Sequence, residues 1–486
     1  MKIAIVAAEM GPFAKAGGLA DVIGALPRAF KRAGAEPCVV LPAYRALLDQ
    51  TETAVFQDNR ELMLGAARET YRVLRTRVAE GIPLYLIDHP GFFDRDGIYG
   101  ENGGDYPDNH RRFIFFGRAA ATLAAALKPD VLHTHDWHAA ATTIVARADD
   151  TLREGLAGTA SAFTIHNLAF QGHFASIDFS LLGLDPAWYS IANLEFFGQV
   201  NLMKGAVVLA DGVATVSPTY AHEVAHDTDL GFGLDGVLRD KGEHLVGILN
   251  GADYDEWDPA KDQYIGTRYT PARRSGKKAC LYDLREEFHL PHRLATPVIG
   301  IVTRMAWQKG LDLLADALDR VLAMDLQLVM LASGDPVLEQ FFRDAARRYP
   351  DQLRVVTSFD NRLAHRIQAG SDMFLMPSRY EPCGLTQMYA LKYGAAPIVR
   401  ATGGLRDTVV EFNRVAGSGN GLVFAADQPD ALVEAIGRAV ALFREPRAWA
   451  RLMANCFAAD FSWDRAADEY LRWFARLRAE RTAAHG

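Results

Sequence analysis

Along the whole chain, short apolar runs alternate with longer amphipathic stretches, and this rhythm restricts the fold more than any other feature. A short run that is apolar on both faces suits an interior strand of a parallel sheet, and the amphipathic stretch after it supplies the covering helix. A first series of predicted strands covers residues 3–8, 37–41, 84–87, 131–133, 162–165 and 212–216. A second series covers 246–249, 298–303, 326–331, 353–357, 373–376 and 396–399. Helical periodicity falls on 19–32, 111–127, 311–324, 336–348 and 429–443. The rhythm runs twice, with a break near 241–251, which predicts an α/β chain of two doubly wound, parallel-sheet domains. A last amphipathic helix over 464–480, rich in Trp, Phe and Arg, is expected to pack back on the first domain.

The 486 residues exceed one ordinary core, and 49% apolar with 23% charged residues is ample material for two. The formal charge of -8, from 52 cations and 60 anions, gives no support to a nucleic-acid partner. No apolar run approaches the roughly 18 residues of a membrane span, so no membrane partner is expected. Residues 3–8 are too short for the apolar core of a signal peptide and read better as a buried strand. Cys38, Cys280, Cys383 and Cys456 lie far apart and form no CxxC pair. That pattern predicts neither a zinc site nor a disulfide framework and fits a reducing cytoplasm.

Ligands of open parallel sheets sit beyond the carboxyl ends of the strands, so the loops there are where chemistry is expected. After the first strand comes Lys15-Ala16-Gly17-Gly18-Leu19-Ala20-Asp21, a glycine pair opening a helix beside a cation, suited to an anion. It is neither a dinucleotide fingerprint nor a P-loop. Another strand ends in His133-Thr134-His135-Asp136-Trp137-His138, which we read as polar lining of a sugar site with Asp136 as a hydroxyl acceptor. Neighbouring strand-end residues point to opposite faces and no further acid–His partner is close in sequence, so a metal is not expected. His166-Asn167 closes the next strand. In the second half, Arg304 and Lys309 flank a strand-to-helix loop, a placement suited to a pyrophosphate. Glu381-Pro382-Cys383-Gly384-Leu385-Thr386-Gln387 presents a carboxylate at a strand end and then starts a helix; Thr402-Gly403-Gly404 opens another.

Together with Asn250-Gly251-Ala252-Asp253, these segments resemble the bacterial and plant glycogen (starch) synthase family of ADP-glucose type, over essentially the whole chain. The resemblance implies a GT-B fold, two Rossmann-like domains facing across a deep cleft. Residues 1–244 would form the acceptor-side domain, 245–456 the donor-side domain, and 457–486 the helix crossing back to the first. It implies glucose transfer from ADP-glucose to an α-1,4-glucan with retention of configuration. The partners would be a nucleotide-sugar donor and a glycogen-type acceptor, without metal or prosthetic group.

Carried over by position, Glu381, Arg304, Lys309, His166 and Asp136 would be catalytic. Lys15, Gly17, Gly18, Phe359, Cys383, Gly384, Leu385, Thr386 and Gly403 would join Arg304 and Lys309 at the donor. Asp21, His138, Asn167 and Asn250 would line the acceptor sugar. The sequence departs from the pattern at Ala16, where the family usually has Thr, and at Ala252, where a larger apolar residue is common. Tyr389 stands where the broader GT-B pattern has a second glutamate, which looks usual for the bacterial synthases. UDP-glucose as donor, and a sugar-nucleotide epimerase on the same architecture, are the competing readings.

Overall fold

A computed structural model of the chain describes residues 1–101, 103–358 and 360–485. The chain divides into two compact units, Met1–Gly251 with Trp463–Gly486, and Ala252–Ser462.

The first unit is built on a nine-stranded sheet. From one edge its strands are Leu245–Gly247, Gly212–Thr215, Ala160–Ile165, Val131–His135, Lys2–Val6, Glu36–Pro42, Ile82–Asp88, Ala67–Val78 and Ala54–Leu64. All run parallel from Leu245–Gly247 to Ile82–Asp88; the last two form an antiparallel hairpin on the edge. The parallel interior strands Lys2–Val6, Val131–His135, Ala160–Ile165 and Gly212–Thr215 are buried from end to end apart from Lys2 and are mostly apolar, as expected for a sheet covered on both faces.

The strand expected to begin the second domain belongs to the first unit. Leu245–Gly247 pairs with Gly212–Thr215, so the division falls after Gly251 rather than at 244/245, and the chain returns at Trp463 rather than 457. The long edge hairpin was not predicted. Its outer strand, Ala54–Leu64, is exposed along almost its whole length, which leaves little apolar alternation to read. The helix Trp463–His485 packs on Gly18–Arg32, setting Tyr470 and Phe474 against Phe30. Tyr470, Phe474 and Leu477 are fully buried there, which makes this helix an integral wall of the first core.

The second unit has a six-stranded, all-parallel sheet in the order Leu353–Val356, Gln327–Gly334, Val298–Met305, Met373–Met376, Ala396–Arg400, Leu422–Phe424. Helices Leu311–Leu322, Pro336–Arg348 and Pro429–Phe443 fall at or within a few residues of their predicted limits.

Each sheet starts in its middle, adds strands outward on one side, then returns to the middle and adds strands on the other. The place where that direction reverses is the topological switch point, where loops diverge and leave a crevice. It lies between Lys2–Val6 and Val131–His135 in the first unit, and between Val298–Met305 and Met373–Met376 in the second. The motifs around Lys15, Asp136, Arg304 and Glu381 fall on the loops leaving these four strands, while His166-Asn167, Asn250 and Thr402-Gly403 follow Ala160–Ile165, Leu245–Gly247 and Ala396–Arg400.

Candidate active site

At the second unit's switch point, the Lys309 ammonium donates to Glu381 Oε2 at 2.6 Å, and the Ser378 hydroxyl donates to the same oxygen at 3.0 Å. Both charged side chains are largely buried. Arg304, at the end of its strand, is exposed and has no ion pair among the described residues. The spacing of these groups depends on backbone packing that no larger residue would allow. Gly310 has φ +64, and a Cβ there would stand 2.1 Å from the Pro377 carbonyl oxygen. Gly403, at φ +43, lies against the Glu381 carbonyl, and the Gly404 amide donates to that carbonyl at 3.0 Å. Thus the loops around Lys309, Glu381 and Gly403 are layered directly on one another.

Arg379 locks this layering. It donates to both Asp312 carboxylate oxygens at 2.7 Å, to the Trp307 carbonyl at 2.9 Å and to Asp427 at 3.0 Å. No local sequence pattern marks Arg379 for this role, because its partners are distant in the chain. Cys383 is buried, while Gly384, Leu385 and Thr386 are partly exposed at the start of the helix Thr386–Lys392. Tyr389, in the place of the second glutamate, is buried. Its ring stacks on Trp257 at 4.2 Å, and Trp257 stacks on His365 at 3.7 Å. Phe359 lies outside the described residues.

The first unit's switch point is organised by a residue that sequence reasoning passed over. Glu9 is buried and accepts hydrogen bonds from the Ala16 and Gly17 amides at 2.8 and 2.7 Å and from the Tyr99 hydroxyl at 2.6 Å. Gly17 was expected to hold the donor. Its amide instead satisfies Glu9, and in that role it shapes the loop. Gly18 opens the helix Gly18–Arg32, and a Cβ built on it meets nothing within 4 Å. Lys15 is half exposed and pairs with Asp21 at 2.6 Å.

Asp136 follows, in left-handed backbone at φ +56. Its carboxylate accepts from the His166 amide at 2.7 Å. Burial pushes its pKa up to about 7; the His166 and Asn167 amides oppose the shift and the charge of Glu9 adds to it. His166 Nε2 bonds His135 Nδ1 at 2.9 Å, which leaves His166 Nδ1 with no hydrogen-bond partner among the described residues. Burial pushes His166, His138 and His133 down to about 3 and His135 well below its ordinary value, so the group is neutral.

Two of these histidines are not the sugar-facing lining expected of them. His133 and His135 are fully buried, their rings 4.0 Å apart, with His133 against Tyr470 and Phe474. His138 is half-buried and stacks on Tyr99 at 4.4 Å. Asn167 accepts from the Ala169 amide at 3.1 Å and shapes its loop. Asn250 is buried, and its side-chain oxygen has no partner among the described residues. Among those residues no group of three His, Cys, Asp or Glu side chains could hold a metal ion. No helix among them is long and apolar enough to cross a membrane.

The first unit matches the starch synthase catalytic domain over residues 2–240, and the second matches the glycosyl transferases group 1 domain over 285–451. The glycogen synthase of Anaeromyxobacter dehalogenans (strain 2CP-C) is 44% identical over 478 residues, covering 97% of this chain and 98% of that protein. The chain belongs to the glycogen and starch synthase family. Glycogen synthase 2 of Geobacter sulfurreducens is 42% identical over 97% of both chains. Among solved structures, the catalytic domain of Starch Synthase IV from Arabidopsis thaliana, bound to ADP and acarbose, has a TM-score of 0.89 at 33% identity and covers 98% of this chain and 99% of its own. A sucrose-phosphate synthase from Thermosynechococcus elongatus, at 17% identity and TM-score 0.58, shares the fold.

The fold is therefore GT-B and the enzyme class a glycosyltransferase. Within the family frame, each unit brings its own motif residues to one switch point: Lys309, Glu381 and Gly403 in the second, Gly18, Asp136 and His166 in the first.

Proposed function

We propose that this glycosyltransferase moves glucose from ADP-glucose to the non-reducing end of an α-1,4-glucan, with the anomeric configuration retained. The observation that carries this reading is the Lys309–Glu381 pair at the second unit's switch point, with Arg304 exposed near the end of the strand that leads to Lys309. A leaving nucleoside diphosphate gains negative charge as the glucose–phosphate bond breaks, and preorganised cations lower that barrier. Arg304 and Lys309 are the neutralising groups. The diphosphate competes with Glu381 for the Lys309 ammonium, and Glu381 is then directed to the sugar.

In the first unit, Asp136 and the neutral His166 address glucose hydroxyls, Asp136 as acceptor and His166 through Nδ1. Neutral imidazoles suit this task, since a fixed cation there would repel the oxocarbenium-like centre. The acceptor hydroxyl attacks from the face that the phosphate leaves, and a departing phosphate oxygen takes its proton. No covalent glucosyl-enzyme and no metal are required, unlike the two-carboxylate scheme of retaining hydrolases. In this scheme the partners are the nucleotide-sugar donor and the glucan, in a cytoplasmic setting.

Incubation with ADP-glucose or UDP-glucose plus glycogen tests the reading. Elongation with ADP-glucose is expected at about 10–200-fold higher kcat/KM than with UDP-glucose, the range that base-pocket shape supplies. Equal or higher kcat/KM with UDP-glucose overturns the donor assignment, and no elongation with either overturns the function.

A further inference from the structure

In the first unit a small antiparallel sheet, His173–Ala175, Gln199–Asn201 and Glu195–Phe196, grows directly out of the loop that follows His166-Asn167. Its hairpin turns through Phe197-Gly198, both in left-handed backbone at φ +49 and +79. A two-residue turn of this kind is the place for Asn-Gly, because asparagine tolerates positive φ and a bulky aromatic does not. Phe197 is nevertheless there, and it is 87% exposed, so the ring recovers little of that strain by burial.

The frame beneath it is rigid. The Glu195 carboxylate accepts from the Gly198 amide at 2.7 Å. The buried Lys204 ammonium donates to the Glu195 carbonyl at 2.6 Å. Asn201 donates to Gln171 at 2.6 Å, and Gln171 donates to the Phe232 carbonyl at 3.1 Å. The strained, exposed ring thus sits on a support held by buried polar groups, while Ile177, 77% exposed, follows the strand paired at the same end.

We infer that Phe197 is a stacking contact for the α-glucan acceptor beyond its reacting end. This rests on the reading above that the acceptor is a glucan. The register places Phe197 at the end of the small sheet away from His166, about three strand residues or roughly 10 Å along it. A polymer held at the His166 loop runs over that distance, whereas the sugar nucleotide has no reason to. The apolar C–H faces of glucose units pack on an aromatic ring, so an exposed phenyl suits a neutral polysaccharide. Its role is acceptor positioning, with no part in the bond-making step.

The test uses the whole chain with glycogen as probe, in four measurements on Phe197→Asn and Phe197→Tyr. Retardation in a native gel containing glycogen, without donor, is expected to show about 3–10-fold weaker binding for Phe197→Asn and near-normal binding for Phe197→Tyr. Initial rates should show KM for glycogen raised by the same factor, with KM for ADP-glucose unchanged. Thermal unfolding should show Phe197→Asn about 1–3 °C more stable, because asparagine relieves the turn. Unchanged glycogen retardation overturns the inference, as does a wild type that glycogen does not retard. Weaker binding together with lower stability also overturns it, since that marks damage to the hairpin. Sedimentation that changes while glycogen affinity does not would assign the tip to a second copy of the chain and overturn it. If the wild type transfers no glucose, the functional reading fails, and the gel measurement still decides this one.

Discussion

The two switch points share a topology and differ in charge. The second unit gathers full charges: Lys309 against Glu381, Arg379 against Asp312 and Asp427, and Arg304 exposed at a strand end. The first pairs Lys15 with Asp21 at its rim and, inside, keeps its histidines neutral. Burial holds His133, His138 and His166 near 3 and raises Asp136 to about 7. The difference follows from how each loop set satisfies its polar atoms. In the second unit charges meet opposite charges at hydrogen-bond distance, which lets them stay ionised when desolvated. In the first, histidines meet a neutral ring or hydroxyl, as His135–His166 and His133–Thr164 do, so burial is not offset. One fold plan thus produces a site fitted to phosphate and a site fitted to hydroxyl groups.

The strongest way to break this contrast is to remove a cation from the charged site. Lys309→Ala and Arg304→Ala should each lower kcat by about 10²–10⁴, the range for losing a stabiliser of developing charge. Circular dichroism should show both folded, since these groups are not core. Near-normal kcat in either folded variant removes that residue from the diphosphate. Glu381→Gln keeps shape and removes charge, and should also lose most of kcat; an unaffected rate takes Glu381 out of the catalytic set.

A smaller effect sharpens the neutral side. If ionised Asp136 accepts a glucose hydroxyl, kcat/KM should fall about tenfold per pH unit below about 7, and Asp136→Asn should be slow and flat there. The linkage has a definite sign. A carboxyl raised from 3.8 to about 7 in the folded state favours its protonated form. Its relative contribution to stability is therefore full below the unfolded value and is lost as pH rises through about 7. Asp136→Asn should accordingly gain stability against wild type at pH 8 and not at pH 3.5, by thermal unfolding. A wild-type rate with no acid limb near 7 excludes Asp136 as the acceptor. Smallest of all, excess EDTA should change the rate less than about twofold, if cations alone neutralise the diphosphate as argued. Loss of activity with rescue by one divalent ion would replace Arg304 and Lys309 with a metal as the main neutralising charge.

Much of this was legible in the chain. Strands such as Val298–Met305 and Met373–Met376 are apolar on both faces, and helices such as Pro336–Arg348 carry clear periodicity and a proline at the start. The motif loops could be placed at strand ends, and so at the switch points. Three kinds of feature stayed hidden. The outer strand Ala54–Leu64 of the edge hairpin is exposed almost throughout, its partner Ala67–Val78 buries only Tyr71, Val73 and Leu74, and strands as short as Glu195–Phe196 are below any detectable period. The partnership of Glu9 with Tyr99 spans 90 positions, and that of Arg379 with Asp312 spans 67, so neither appears as a local pattern. The burial of His133 depends on Tyr470 and Phe474 from the far end of the chain. An isolated His-Thr-His gives no hint that an aromatic helix will cover it.

The central claim is that phosphate recognition belongs to the charged switch point and sugar recognition to the neutral one. Titration calorimetry of ADP binding tests it most directly, comparing wild type with Lys309→Ala and His166→Ala. Losing one charge-assisted contact to the diphosphate should weaken ADP about tenfold or more in Lys309→Ala. His166→Ala should bind ADP within about twofold of wild type while losing turnover. Equal weakening of ADP by the two substitutions would contradict the division.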